Sequence, residues 1–144
     1  MKPFQLLMFA MLSLILVFLL VVVALPNTEL AAIRREFVWL SRLLSRMDRW
    51  SPGIDMVHVL MFAGLGGLAR LALGRAPWCA VLLGMVAFSA LTELLQFWAP
   101  GRNARWSDFV QDVAGALLGI ALATGLLVLL RGVRGKPPGK GNAS

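Results

Sequence analysis

Four apolar stretches make up most of this chain, and each is close to the length that crosses a lipid bilayer. Phe4 to Leu25 contains no charged residue. At about 1.5 Å per helical residue, such a run spans a hydrocarbon core of about 30 Å. Three further runs, at about residues 54–73, 78–98 and 108–130, are separated by segments rich in Pro, Gly and Arg. Backbone polar groups in lipid must pair within their own segment, so runs of this kind become helices. Composition agrees: 59% of residues are hydrophobic, 15% are charged, and mean hydropathy is +0.80, well above a soluble globular chain. The expected fold class is all-α: a polytopic membrane helical bundle with four transmembrane helices, in a single membrane domain over residues 1–130. The first run exceeds the apolar core of about 7–15 residues in a cleaved signal peptide, so it is read as a retained helix.

Between the first two runs lies a different pattern. Leu30, Ile33, Phe37, Leu40, Leu44 and Met47 recur at steps of three and four, which makes one apolar stripe on a helix. Arg34, Arg35, Arg42, Arg46 and Arg49 lie largely off that stripe. A basic amphipathic helix at about 28–50, capped by Asn27 or Thr28, is therefore expected to lie in the membrane interface. Trp50, Trp78, Trp98 and Trp106 fall at predicted helix ends, as an aromatic belt requires. The tail, residues 131–144, carries Gly, Pro and Lys without an apolar period and reads as a disordered basic tail.

The net charge of +7 would suggest nucleic acid in a soluble protein. Here the cations sit in loops and the tail, so the expected partner is membrane lipid, anionic or lipid-linked, and not nucleic acid. Cys79 is the single cysteine, so neither an internal disulfide nor a cysteine-based metal site can form.

The polar groups concentrate in residues 93–112. Glu93 and Gln96 share a helix face, Pro100-Gly101 ends that helix, and Arg102 and Arg105 follow in the loop. Ser107 or Asp108 can cap the next helix, and Asp112 stands one turn beyond Asp108. Asp55 and His58 open the second run on one face. Successive helices alternate in direction, so Asp55, His58, Glu93, Gln96, Arg102, Arg105, Asp108 and Asp112 can all meet at one end of the bundle. Polar groups at such depth are functional candidates by default. His58, Glu93 and Asp108 are the candidate acid–base groups; Asp55, Gln96, Arg102, Arg105 and Asp112 are the candidate binding groups. The residues equally allow a structural role, with Glu93–Arg102 and Asp108–Arg105 pairs neutralising buried charge. His58 with several carboxylates could also bind a divalent cation, although no recognised metal-ligand spacing is present, and the residues leave metal and cofactor open. Gly115, Gly119 and Ala123 form a small-residue row that should bring another helix of the chain close to the fourth.

Basic residues divide evenly between the two sides of this topology, so the positive-inside rule does not choose an orientation. Weighting the short second connection and the basic tail places both termini in the cytoplasm and the polar cluster on the outer face.

The order Asp55-x-x-His58, Glu93-x-x-Gln96-x-x-x-Pro100-Gly101-Arg102 and Asp108-x-x-x-Asp112-x-x-Gly115-x-x-x-Gly119 resembles the VanZ-like family of bacterial membrane proteins, over roughly residues 54–125. Two positions depart from the family pattern: Asp112 stands where Asn is usual, and Met56 where Lys is common after the first Asp. The resemblance implies a multi-pass protein of the bacterial inner membrane. The family's founding member is associated with low-level resistance to the glycopeptide teicoplanin. Two functions are therefore expected as alternatives. One is an envelope protein that binds a lipid or lipid-linked headgroup and alters glycopeptide susceptibility. The other is a membrane-embedded enzyme acting on a lipid-linked phosphate or sugar through His58, Glu93 and Asp108. A transporter ranks last, because four short helices leave little room for alternating access.

Overall fold

The first and third hydropathy runs become helices to within one residue, and the second and fourth shift at their ends. The computed structural model describes residues 3–51, 53–101 and 105–134, and six helices follow in order: α1 (Pro3–Ala24), α2 (Asn27–Glu36), α3 (Val38–Trp50), α4 (Met56–Ala72), α5 (Trp78–Trp98) and α6 (Trp106–Arg134). No strand occurs among the described residues. α1, α5 and the stretch Trp106–Arg131 are long and apolar enough to cross a membrane, whereas α4 is a shorter apolar helix.

Several boundaries move, each for a local reason. The amphipathic segment is two helices rather than one. Phe37 leaves helical geometry (φ −102°, ψ 63°), although its N–H still reaches Ile33 O at 3.0 Å. The two halves are held differently. The Asn27 N–H is tied to Pro100 O at 3.2 Å at the start of α2, whereas α3 packs against α4. Neither Asn27 nor Thr28 caps α2: both lie inside its first turn, after Pro26, whose ring already sets a φ suited to a helix start. Ser107 and Asp108 likewise fall within the first turn of α6, and the Ser107 hydroxyl donates to Asp108 Oδ1 at 3.0 Å. The side chain that does cap is Asp55, whose Oδ1 accepts from the N–H groups of Val57 (3.0 Å) and His58 (3.3 Å). Residues 131–134, expected in the tail, continue α6; the remainder of the tail lies outside the described residues.

α4 is the hub, packing against α1, α3, α5 and α6. Its thin residues make this possible. Gly115 meets the Val59 carbonyl, Gly119 meets the Ala63 carbonyl, and Gly66 lies against the Ala116 backbone. A Cβ at any of these glycines would intrude on backbone, so two helices approach here as only glycine permits. The contacts also set direction. Moving up α4 through Asp55, His58, Val59, Ala63 and Arg70, the partners on α6 are Gln111, Asp112, Gly115, Gly119 and Thr124. α4 and α6 therefore run parallel. Gln5 of α1 lies beside Gly74, just past the C-terminus of α4, so α1 runs the opposite way. Phe62, Leu65, Ala69, Val81, Met85, Ala116 and Ile120 form the buried centre, joined from α1 by Leu12 and Leu19.

Outside this centre the helices are apolar to their surface. Phe4, Leu14 and Phe18 of α1, Leu83 and Phe97 of α5, and Leu122 and Leu129 of α6 are exposed, as lipid-facing side chains are. Trp50, Trp78, Trp98 and Trp106 are also exposed, at 83%, 55%, 67% and 77%, and each sits at the end of a helix. Gly125 gives a contrast with the packed glycines, because a Cβ there meets nothing within 4 Å. Gly125→Ala should leave the fold intact and raise its stability by about 0.5–1 kcal/mol, through reduced backbone entropy in the unfolded chain. Thermal unfolding in detergent checks this; a clear loss of stability would mean that another surface packs there.

Candidate functional site

Three helices meet at one fully buried carboxylate. Asp112 lies one turn into α6 from Asp108 and is 0% exposed. Nδ1–H of His58, on the first turn of α4, donates to Asp112 Oδ1 at 2.8 Å. The hydroxyl of Ser89, on α5 and also 0% exposed, donates to Asp112 Oδ2 at 2.8 Å. A carboxylate offers only acceptors, so the proton between it and the imidazole belongs to Nδ1, and Nε2 of neutral His58 is left as an acceptor. That nitrogen lies 4.0 Å from Asp55 Oδ2. Burying a charge without partners is costly. Here both oxygens are bonded, and the bonds join α4, α5 and α6 in one clasp.

A second connection runs along the same end. Gln111 Oε1 accepts from the Asp55 N–H at 2.6 Å, and its Nε2 donates to Gly53 O at 3.4 Å. These bonds hold the turn before α4 against α6.

Glu93, one turn beyond Ser89 on α5, is placed differently. Its Oε2 accepts from the Arg105 backbone N–H at 2.9 Å, which fastens the loop before α6 to the end of α5. Its Oε1 is buried and has no hydrogen-bond partner among the described residues. Two clefts open around this point. One, of about 290 Å³, is lined by Ala90, Glu93, Arg105, Trp106 and Phe109, the last two rings stacked at 4.9 Å. The other, of about 310 Å³, is polar and includes Asp55, Arg105, Ser107, Asp108 and Gln111. Arg105 borders both.

Six of the eight expected residues lie at this end, in two groups. Asp55, His58 and Asp112 come together at the clasp; Glu93, Arg105 and Asp108 line the clefts. Gln96 is buried on α5, 6% exposed. Arg102 lies outside the described residues, and with it the expected Glu93–Arg102 pair. The Asp108–Arg105 ion pair is not formed: the two ion pairs among the described residues both involve His58. Arg105 serves Glu93 through its backbone, and Asp108 takes the Ser107 hydroxyl. The first turn of α6, where Asp108 sits, also favours a negative charge electrostatically. Among the described residues no group of three or more His, Cys, Asp or Glu is arranged to hold a metal ion.

Sequence reasoning sets Ser89 beside Glu93 and Gln96 on one side of the third run without joining it to Asp112, and it passes over Gln111. Ser89 stands four residues before Glu93 and seven before Gln96, on one helical face, but nothing local marks it as the partner of Asp112. Gln111 follows Asp108 by three residues and shares its face, a signal that would have found it.

Parallel α4 and α6, glycine-mediated contact and a polar clasp at one end of apolar helices define a helical membrane protein with a site at one bundle end. The chain matches the model of the VanZ/LLP1 family over residues 4–130, and so belongs to that family. No curated protein and no solved structure matches it.

Proposed function

We propose that this VanZ-type membrane protein binds the polar headgroup of a lipid or lipid-linked molecule in the clefts around Glu93 and Arg105. The observation that carries the reading is Glu93 Oε1, a buried carboxylate oxygen with no partner among the described residues, beside a cleft walled by Trp106 and Phe109. A buried acceptor left unpaired costs about 1–3 kcal/mol. A ligand hydroxyl or ammonium would supply the missing donor, while the stacked rings take an apolar part of the same molecule. Arg105 adds a cation for a phosphate on the same ligand. The polar clasp has a different role, holding together the three helices that frame the clefts.

In this reading α4 is a fourth span, with its 17 residues extended by the flanking turns, and α2–α3 lie in the interface. The exposure of Phe37, Val38, Trp39 and Leu43 supports the latter, since the chain's own core leaves them for lipid. Both termini are placed in the cytoplasm and the clefts on the outer face of the bacterial inner membrane, where lipid-linked envelope precursors and glycopeptides are met.

Lipid mass spectrometry of cells with and without the protein, and of the purified protein, tests the function. One headgroup class should co-purify with the wild type. Glu93→Gln should weaken its retention on the order of tenfold, the equivalent of one hydrogen bond to a charged group. Identical lipid profiles for wild type and variant would overturn the reading.

The His58–Asp112 bond favours a second reading, a membrane-embedded enzyme acting on a lipid-linked phosphate or sugar. A buried carboxylate that sets the imidazole tautomer leaves Nε2 as a general base. Ser89 is not the nucleophile of such an enzyme: it is fully buried and its hydroxyl is given to Asp112. Accumulation of a converted lipid only in cells carrying wild-type protein, and not in cells carrying His58→Gln, would decide for catalysis.

A further inference from the structure

We propose that the opposite end of the bundle holds an anionic phospholipid, with its phosphate between Arg75 and Arg131 and an acyl chain in the cleft between α1, α4 and α6. This site is separate from the Glu93 clefts and does not depend on what they bind. A cavity of about 620 Å³ lies there, with Phe4 from α1, Leu71 from α4, Leu127 and Leu130 from α6, and the two arginines on its walls. That volume is in the range of small-molecule sites. The lining itself is amphiphilic, with aliphatic and aromatic side chains beside guanidinium groups.

Charge segregation identifies the occupant. All seven acidic side chains of the chain fall within residues 27–55 and 93–112, the segments gathered at the other end. The α4–α5 turn and the α6 end contribute arginines, and neither they nor the α1 start carries an acidic side chain. Neither Arg75 nor Arg131 pairs with a carboxylate among the described residues. Arg70 adds a third cation at this end. Its Nε donates to Thr124 Oγ1 at 3.0 Å and its NH1 to Ala76 O at 3.2 Å, which ties α4, α6 and the turn bearing Arg75 together. Guanidinium groups match phosphate oxygens in a fork geometry, and basic pockets between membrane helices take lipid headgroups. A free anion would satisfy the arginines but leave the wall of Phe4, Leu127 and Leu130 unused; a phospholipid uses both.

The test is native mass spectrometry of the full chain from nanodiscs of phosphatidylcholine and phosphatidylglycerol mixed in equal parts. The wild type should retain phosphatidylglycerol in preference to phosphatidylcholine on the order of tenfold. Arg75→Gln/Arg131→Gln should lose most of that preference, and Arg75→Gln alone, an exposed turn position, should lose part of it. Thermal unfolding in phosphatidylcholine alone confirms that each variant is folded. No preference in the wild type, or an unchanged preference in the folded double variant, overturns the proposal. So does equal protection against heat by inorganic phosphate and by phosphatidylglycerol, because the acyl chain would then contribute nothing.

Discussion

Asp112→Ala should lower stability by about 2–4 kcal/mol, the cost of leaving two hydrogen-bond donors without their shared acceptor and of vacating the side-chain volume. The substitution strands two donors, the Nδ1–H of part-buried His58 and the fully buried Ser89 hydroxyl. Each unpaired buried group costs about 1–3 kcal/mol, and the vacated volume adds to that. Because the clasp joins α4, α5 and α6, the loss should appear as earlier cooperative unfolding in detergent rather than as local fraying. Pairing Asp112→Ala with Ser89→Ala should recover part of the loss, since the second change removes one stranded donor. Asp112→Asn should behave differently. Its amide oxygen can accept from Ser89 while its NH₂ donates to His58 Nδ1, so most of the stability survives. The imidazole proton must then move to Nε2, turning an acceptor into a donor. Nitrogen NMR of His58 reads this tautomer directly. A loss under about 1 kcal/mol in Asp112→Ala would show that the clasp is not formed as described.

Gly119→Leu should separate α4 from α6 at the point where their backbones come closest. A Cβ on residue 119 would overlap the Ala63 carbonyl and approach Gly67 N at 2.8 Å. These are backbone atoms, which cannot turn aside as a long side chain can. Overpacking costs typically about 1–3 kcal/mol, and a rigid neighbour places this site at the upper end. Gly119→Ala should already show much of the effect. The change reaches the site as well, since the same two helices carry His58 and Asp112 one to two turns away. Insertion should remain normal, because Leu is more apolar than Gly. Comparing membrane insertion, unfolding temperature and retention of the co-purified lipid separates these outcomes. Full stability together with full lipid retention in Gly119→Leu would mean that this row does not hold α4 and α6 together.

Much of this architecture was legible in the residues. Phe4 to Leu25 and Trp78 to Trp98 are bounded by Pro26, Pro77 and Pro100, and such punctuation acts within a turn or two. The row Gly115, Gly119 announced close packing, because the absence of side chains is itself a local property. The break at Phe37 was not legible: the apolar stripe runs through it, and only the separate anchorage of α2 and α3 divides them. Nor was the start of α6, where Ser107 and Asp108 both look like caps. Several oxygen-bearing residues stand close together there, and choosing among them takes the helix start itself.

The sequence by itself determined the membrane class, the extents of α1 and α5, and the end of the bundle where the polar residues gather. Each follows from hydropathy, periodicity and the alternation of successive helices, which are properties of neighbours along the chain. Only the tertiary structure decided how the polar residues divide their work. It buried Asp112 between His58 and Ser89, gave Asp55 to the start of α4, and left one oxygen of Glu93 buried without a partner among the described residues. Sequence spacing places these groups on faces, but the rotation of one helix against another decides which faces meet. That rotation is set by the contact of Gly115 and Gly119 with the α4 backbone.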